Sequence, residues 1–141
     1  MNSQKKKDLT YGFAMEDLVH PILEKQFGKL DKTPQCDNFD YINEDYVVEL
    51  KSRHNITIKS YNSLCFNECK LVKGFEYLEK TNKKVYFAFN LMDGIWLWEL
   101  TKDNKNEYYY GNIVRKDRGR FESSKGVYVY TKHFKLLNFI S

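Results

Sequence analysis

Residues 39–51 constrain this chain more than any other stretch. The run reads Phe39-Asp40-Tyr41-Ile42, then the polar Asn43-Glu44-Asp45, then Tyr46-Val47-Val48-Glu49-Leu50-Lys51. β-branched and aromatic residues flank a turn-like centre, so two antiparallel strands are expected. If Asn43 stands opposite Tyr46, or Ile42 opposite Val47, then Asp40 falls opposite Glu49. Strand side chains alternate faces with period two, so Lys51 projects on the same side as Glu49. Opposed side chains have Cβ atoms about 5 Å apart, and like charges at that distance destabilise a sheet. Two carboxylates and an ammonium on one face therefore need a reason, and a divalent metal between the carboxylates supplies one. The alternative is a surface hairpin on which Glu49 and Lys51 neutralise each other, worth under about 1 kcal/mol. The Val47-Val48 pair before the motif argues for a central, half-buried strand, where unpaired charge is costly.

An Asp followed by Glu-x-Lys on a hairpin, after an N-terminal helix bearing a Glu, resembles the PD-(D/E)XK nuclease superfamily. That group includes restriction endonucleases, Holliday junction resolvases and many small phage and viral nucleases. The resemblance implies that Asp40 and Glu49 bind Mg²⁺, with Mn²⁺ as a substitute, and that the Leu50 carbonyl is a further ligand. It implies that Lys51 orients and activates the attacking water and that Glu16 is the helix carboxylate. Phe39 stands where the family often has proline. The implied activity is DNA endonuclease cleavage leaving 5′-phosphate and 3′-hydroxyl ends, by a homodimer addressing both strands. A branched-DNA (Holliday junction) resolvase, or an inactive nuclease-fold module that binds nucleic acid, are the alternatives.

At 141 residues the chain is expected to form one domain burying about two-thirds of its unfolded surface. With 42% hydrophobic and 16% aromatic residues, intrinsic disorder is excluded. No apolar run approaches the roughly 20 residues of a membrane helix, and the polar start has no signal-peptide core. Three cysteines are too few for a disulfide scaffold and favour a reducing compartment, so a soluble cytoplasmic protein is expected. Residues 102–135 hold nine basic and four acidic residues, whereas the rest holds fourteen and fifteen. A basic C-terminal third suits contact with a phosphate backbone, although modest basic excess also serves solubility alone.

Asp8 to Gly28 reads as a first helix, with Tyr11, Met15, Leu18, Val19 and Ile22 on one face and a kink or break at Pro21. Glu16 falls at the edge of that stripe beside Val19 and Leu23, whereas Asp17 and Glu24 lie nearly opposite it. A flanking surface position is the bland reading of Glu16. Ile56 to Ile58 is expected to extend or restart the strand. Asn62 or Ser63 is expected to cap a second helix to about Thr81, with Leu71, Val72, Phe75 and Leu78 facing the core. Lys84–Met92 and Ile95–Leu100 read as strands joined by the Asp93-Gly94 hairpin turn. Glu107–Arg115 and Val127–Thr131 read as further strands, and His133–Ile140 as a short closing helix or strand. The order predicts an α/β (α+β) fold with a central mixed β-sheet flanked by helices, and the resemblance implies that this is a restriction endonuclease-like core.

Other residues carry weaker signals. Lys70 and Lys73 on the second helix read either as nucleic-acid contacts, as the resemblance implies for a basic residue on this helix, or as a solvated face, and the spacing does not decide which faces the site. Arg53 and His54 leave the motif strand near the expected metal and are candidates to touch the scissile phosphate; His54, with no second histidine nearby, reads as surface. Arg115, Lys116, Arg118 and Arg120 are candidate phosphate contacts, and Tyr108, Tyr109 and Tyr110 beside them read either as core or as base-stacking residues. Cys65 and Cys69 lack partners for a zinc site and read as buried thiols; Trp96 and Trp98 read as packing. No organic-cofactor fingerprint is present.

Overall fold

Two sheets and two helices carry the motif hairpin. The computed structural model describes residues 3–33, 39–115 and 122–137, and within them the side chains of 14–33, 39–113 and 124–137. In chain order the elements are α1 (Ser3–Phe27), β1 (Asp31–Lys32), β2 (Tyr41–Ile42), β3 (Tyr46–Ser52), β4 (Ser63–Asn67), α2 (Glu68–Lys80), β5 (Lys84–Leu91), β6 (Gly94–Leu100), β7 (Tyr108–Arg115), β8 (Glu122–Tyr130) and β9 (Lys135–Leu136). The larger sheet is mixed, with strand order β1-β2-β3-β5-β6-β9, and the smaller is antiparallel, with order β4-β8-β7. β3 and β5 pair in parallel, so the chain must cross over between them, and β4 and α2 form that crossover. This is the expected α+β architecture with a central mixed sheet.

Period-two alternation sorts the central strands onto two cores. Val47 of β3 and Val85, Phe87, Phe89 and Leu91 of β5 face one way, packing with Leu71 of α2 and with Leu64, Phe66, Val127 and Val129 of the smaller sheet. Phe66 stacks on Phe87 at 4.1 Å between centroids, joining the two sheets. Val48 and Leu50 of β3 and Ala88 of β5 face the other way, against Val19, Leu23 and Phe27 of α1. One helix thus covers each face of the central sheet. Gly74 of α2 is buried, and a Cβ there would meet Leu100 Cδ2 at 2.7 Å, so its lack of a side chain lets α2 sit close on β5 and β6.

Several local expectations hold, and tertiary contacts override others. α1 stops at Gly28, whose φ of 81° and N–H bond to the Glu24 carbonyl form a left-handed helix end. The helix runs through Pro21 without a break in its assignment. Its inward residues are Val19, Leu23 and Phe27, whereas Leu18 is 62% exposed. Ile56–Ile58 is loop and turn, not strand. Ser63 does not begin a helix: Ser63–Asn67 pairs antiparallel with β8, and α2 starts only at Glu68 after Asn67. Leu71 is buried in α2 but Val72 is 51% exposed. The Asp93-Gly94 turn forms, with Gly94 at φ 133°. β8 begins before Val127, residues 131–136 form a 3-10 turn and the two-residue β9, and the rest of the expected closing element, 138–140, lies outside the described residues. Cys65 lies on β4 and Cys69 on α2, the first partly buried and the second exposed, so neither is a buried thiol. Trp98 is buried and donates to Glu107, consistent with packing.

Candidate active site at the hairpin

The hairpin closes in the expected register next to its turn, with Ile42 opposite Val47 and Tyr41 opposite Val48, and the ladder stops before Asp40 and Glu49. Asn43 fixes this geometry. Its Oδ1 accepts the Asp45 and Tyr46 N–H groups, and its Nδ2 donates to the Phe27 and Lys29 carbonyls at the end of α1. Lys83 donates to the Asn43 and Glu44 carbonyls from the other side. β2 is only two residues long. Just before it, Asp40 N–H bonds to the Val48 carbonyl, on the residue already paired with Tyr41. The chain therefore bulges at Asp40, a device that re-aims a side chain. The Asp40 carboxylate turns onto β3 and accepts the Leu50 N–H at 2.8 Å.

Glu49 lies on the α2 side of β3 at only 2% exposure. Its Oε2 receives two ammonium groups, Lys51 Nζ at 3.2 Å and Lys70 Nζ at 3.4 Å. Among the described residues its buried Oε1 has no hydrogen-bond partner. Burial pushes the Glu49 carboxyl up to about 7, the nearby Asp40 carboxylate adds to the rise, and the two lysines oppose it. Asp40 stands within hydrogen-bonding reach of Glu49, yet two ionised carboxylates are both acceptors, so a proton, a cation or a bridging donor is needed to join them.

Glu16 completes the acidic cluster from the opposite face of the sheet. It sits one turn before Val19 and is held at the hairpin by the Tyr41 hydroxyl, which donates to the Glu16 carbonyl at 2.9 Å. Burial, then the Asp40 charge and contact with its carboxylate, raise the Glu16 carboxyl to about 7. Burial and the charges of Glu16, Asp40 and Asp17 push the Tyr41 phenol well above its ordinary value. Lys32 pairs with Asp17 at 2.6 Å and also feels Glu16 and Asp40. Asp17 is exposed, as its place opposite the apolar stripe predicts.

Asp40, Glu49, Lys51 and Glu16 are thus brought together from three separate elements. Lys70 joins them, which resolves the ambiguity on α2. Lys73 does not: it pairs with Glu76 at 3.4 Å along the helix. Arg53 N–H bonds to the Asn90 carbonyl and its Nη1 to the Ser52 carbonyl, at the end of β3. His54 is exposed. Tyr108 is buried while Tyr109 and Tyr110 are exposed. The Arg115 side chain and Lys116, Arg118 and Arg120 lie outside the described residues. Lys32 and Tyr41 went unread in the sequence. For Tyr41 the signal was its place beside Asp40; Lys32 carried none, because its relation to Glu16 is made only by the α1–β1 turn.

Among the described residues, no group of three His, Cys, Asp or Glu side chains is arranged to hold an ion. The set on offer is the pair Asp40 and Glu49, and Mg²⁺ commonly takes only one or two protein carboxylates. The orphaned, buried Glu49 Oε1 beside Asp40 fits a divalent cation, since it supplies an acceptor that no protein donor satisfies. Among the described residues no helix is long and apolar enough to cross a membrane. No protein-family model matches the chain, and no curated protein or solved structure does either.

Proposed function

We propose that this protein is a small Mg²⁺-dependent DNA endonuclease of the PD-(D/E)XK type, hydrolysing phosphodiester bonds to 5′-phosphate and 3′-hydroxyl ends. The observation that carries the reading is the unpartnered Glu49 Oε1, buried next to Asp40 and two residues from a lysine in register. Burying Glu49 beside the partly buried carboxylates of Asp40 and Glu16 is costly, and catalysis gives that cost a purpose.

Asp40 and Glu49 would hold the cation, with the Leu50 carbonyl beside them. Mg²⁺, or Mn²⁺ in its place, would polarise the phosphoryl oxygen and stabilise developing negative charge. Asp40 is anchored for this by the Leu50 N–H, so it needs little rearrangement. Lys51 is held by Glu49 at 3.2 Å, where its ammonium can hold the attacking water and offset charge in the transition state. Glu16, with a carboxyl raised to about 7, can accept or return a proton near neutrality at the same edge. The basic residues Arg53, Arg115, Lys116, Arg118 and Arg120 would grip the phosphate backbone, and a homodimer would address both strands.

The test is cleavage of supercoiled plasmid in Mg²⁺ and in Mn²⁺, wild type beside Lys51→Ala. Metal-dependent nicking that falls by about two orders of magnitude or more in the variant is expected. The reading would be falsified if Lys51→Ala cut as well as wild type and the folded protein bound no divalent ion.

A further inference from the structure

The arrangement around Glu49 is lopsided. Both ammonium groups converge on one oxygen, Oε2, from different elements: Lys51 from β3 at 3.2 Å and Lys70 from the first turn of α2 at 3.4 Å. The other oxygen, Oε1, has no partner. Both lysine side chains are mostly enclosed, at 25% and 20% exposure. Lys51 alone would balance the Glu49 charge, so Lys70 calls for a separate explanation.

We propose that Lys70 restricts the site to one divalent cation, by occupying from α2 the side of Glu49 that a second ion would need. The inference rests on the metal-nuclease reading above. Two-metal sites place their ions about 3.5–4 Å apart and commonly share a carboxylate, one oxygen to each ion. On Glu49 only Oε1 is open; an ion on Oε2 would displace one ammonium and lie against the other. Like charges at that separation repel strongly where water is largely excluded. Lys70 thus stands in for the second ion as a fixed positive charge. Three carboxylates (Glu16, Asp40, Glu49), two ammonium groups and one divalent ion leave one net positive charge, which readies the site for an anionic phosphate.

Lys70→Met keeps most of the aliphatic stem and removes the charge; Lys70→Arg keeps the charge. The measurement is Mn²⁺ stoichiometry without DNA, by calorimetric titration and by loss of the free-ion paramagnetic resonance signal. Thermal melts establish that each variant is folded, and Lys70→Gln replaces Lys70→Met if the latter does not fold. One ion per chain is expected for wild type and Lys70→Arg, and two for the neutral variant. Two ions in wild type, or one in the neutral variant, overturn the role of Lys70 while leaving a metal nuclease standing. No ion in any of the proteins overturns both readings together.

Discussion

The Asp40 carboxylate accepts the backbone N–H of Leu50 at 2.8 Å, tying the short arm of the hairpin to the strand that carries Glu49 and Lys51. One side chain therefore does two things: it replaces a ladder hydrogen bond that the two-residue β2 is too short to make, and it sets a charge beside Glu16 and Glu49. These roles separate by substitution. Asp40→Asn keeps an acceptor for the Leu50 N–H and removes the charge. Its melting temperature should match or exceed wild type at pH 8, while plasmid cleavage falls at least about 100-fold. Asp40→Ala loses the bond as well and should cost about 1–2 kcal/mol. Wild-type cleavage by the Asn variant would exclude Asp40 as a metal ligand.

Stability should fall as pH rises. Glu49 moves from 4.5 to about 7 on folding, so the native state holds a proton that the unfolded chain has released. The associated stability is fully present below about pH 4.5 and is lost as pH climbs through about 7. For buried Glu49 the change is on the order of 3 kcal/mol, and Glu16 acts in the same direction. Mg²⁺ competes with that proton, so it should raise the melting temperature at pH 8 far more than at pH 5. Melting curves from pH 4 to 9, with and without Mg²⁺ and with Glu49→Gln as control, check both slopes. A flat wild-type profile would refute the buried, raised carboxyl.

Asn43 should be a structural determinant with a catalytic signature. Asn43→Ala removes two donors and an acceptor that together bind four backbone groups across the turn and the end of α1. A loss of about 2–3 kcal/mol in urea unfolding is expected. Loosening the turn also loosens the hairpin that holds Asp40 beside Glu49, so cleavage should fall even where the variant is fully folded. Unaltered stability would show that Lys83 and the backbone bonds suffice.

Gly74→Ala tests how closely α2 must approach the sheet. The added methyl group meets Leu100 and Val85, and relief requires α2 to lift or the core to repack. Overpacking of this kind costs about 1–3 kcal/mol, outweighing the helix-propensity gain of about 1 kcal/mol from replacing glycine. Because α2 carries Lys70, the shift should also weaken its contact with Glu49. Chemical denaturation and Mn²⁺ titration of the variant read the two effects.

What was legible in the sequence was local. Alternation around a polar turn was enough for the pairing of Ile42 with Val47 but not for the bulge at Asp40, and Gly28 and Asp93-Gly94 marked the ends they form, because turn chemistry acts within a few residues. Even the choice of Glu16 over Asp17 followed from helical angle alone. Tertiary structure decided the rest. Ser63–Asn67 is a strand because β8, some sixty residues later, offers it a hydrogen-bonding edge, and no local pattern can announce a partner that distant. Leu18 and Val72 are as apolar as the neighbours that were buried, and what lies above each helix face chose between them. Lys70 and Lys73 are three residues apart on one helix with the same chemistry; only the docking of α2 over β3 turned the first to Glu49 and left the second with Glu76. The sequence by itself thus determined which groups carry the candidate chemistry on the hairpin. Burial and long-range packing, which no local period encodes, decided which other charges surround them.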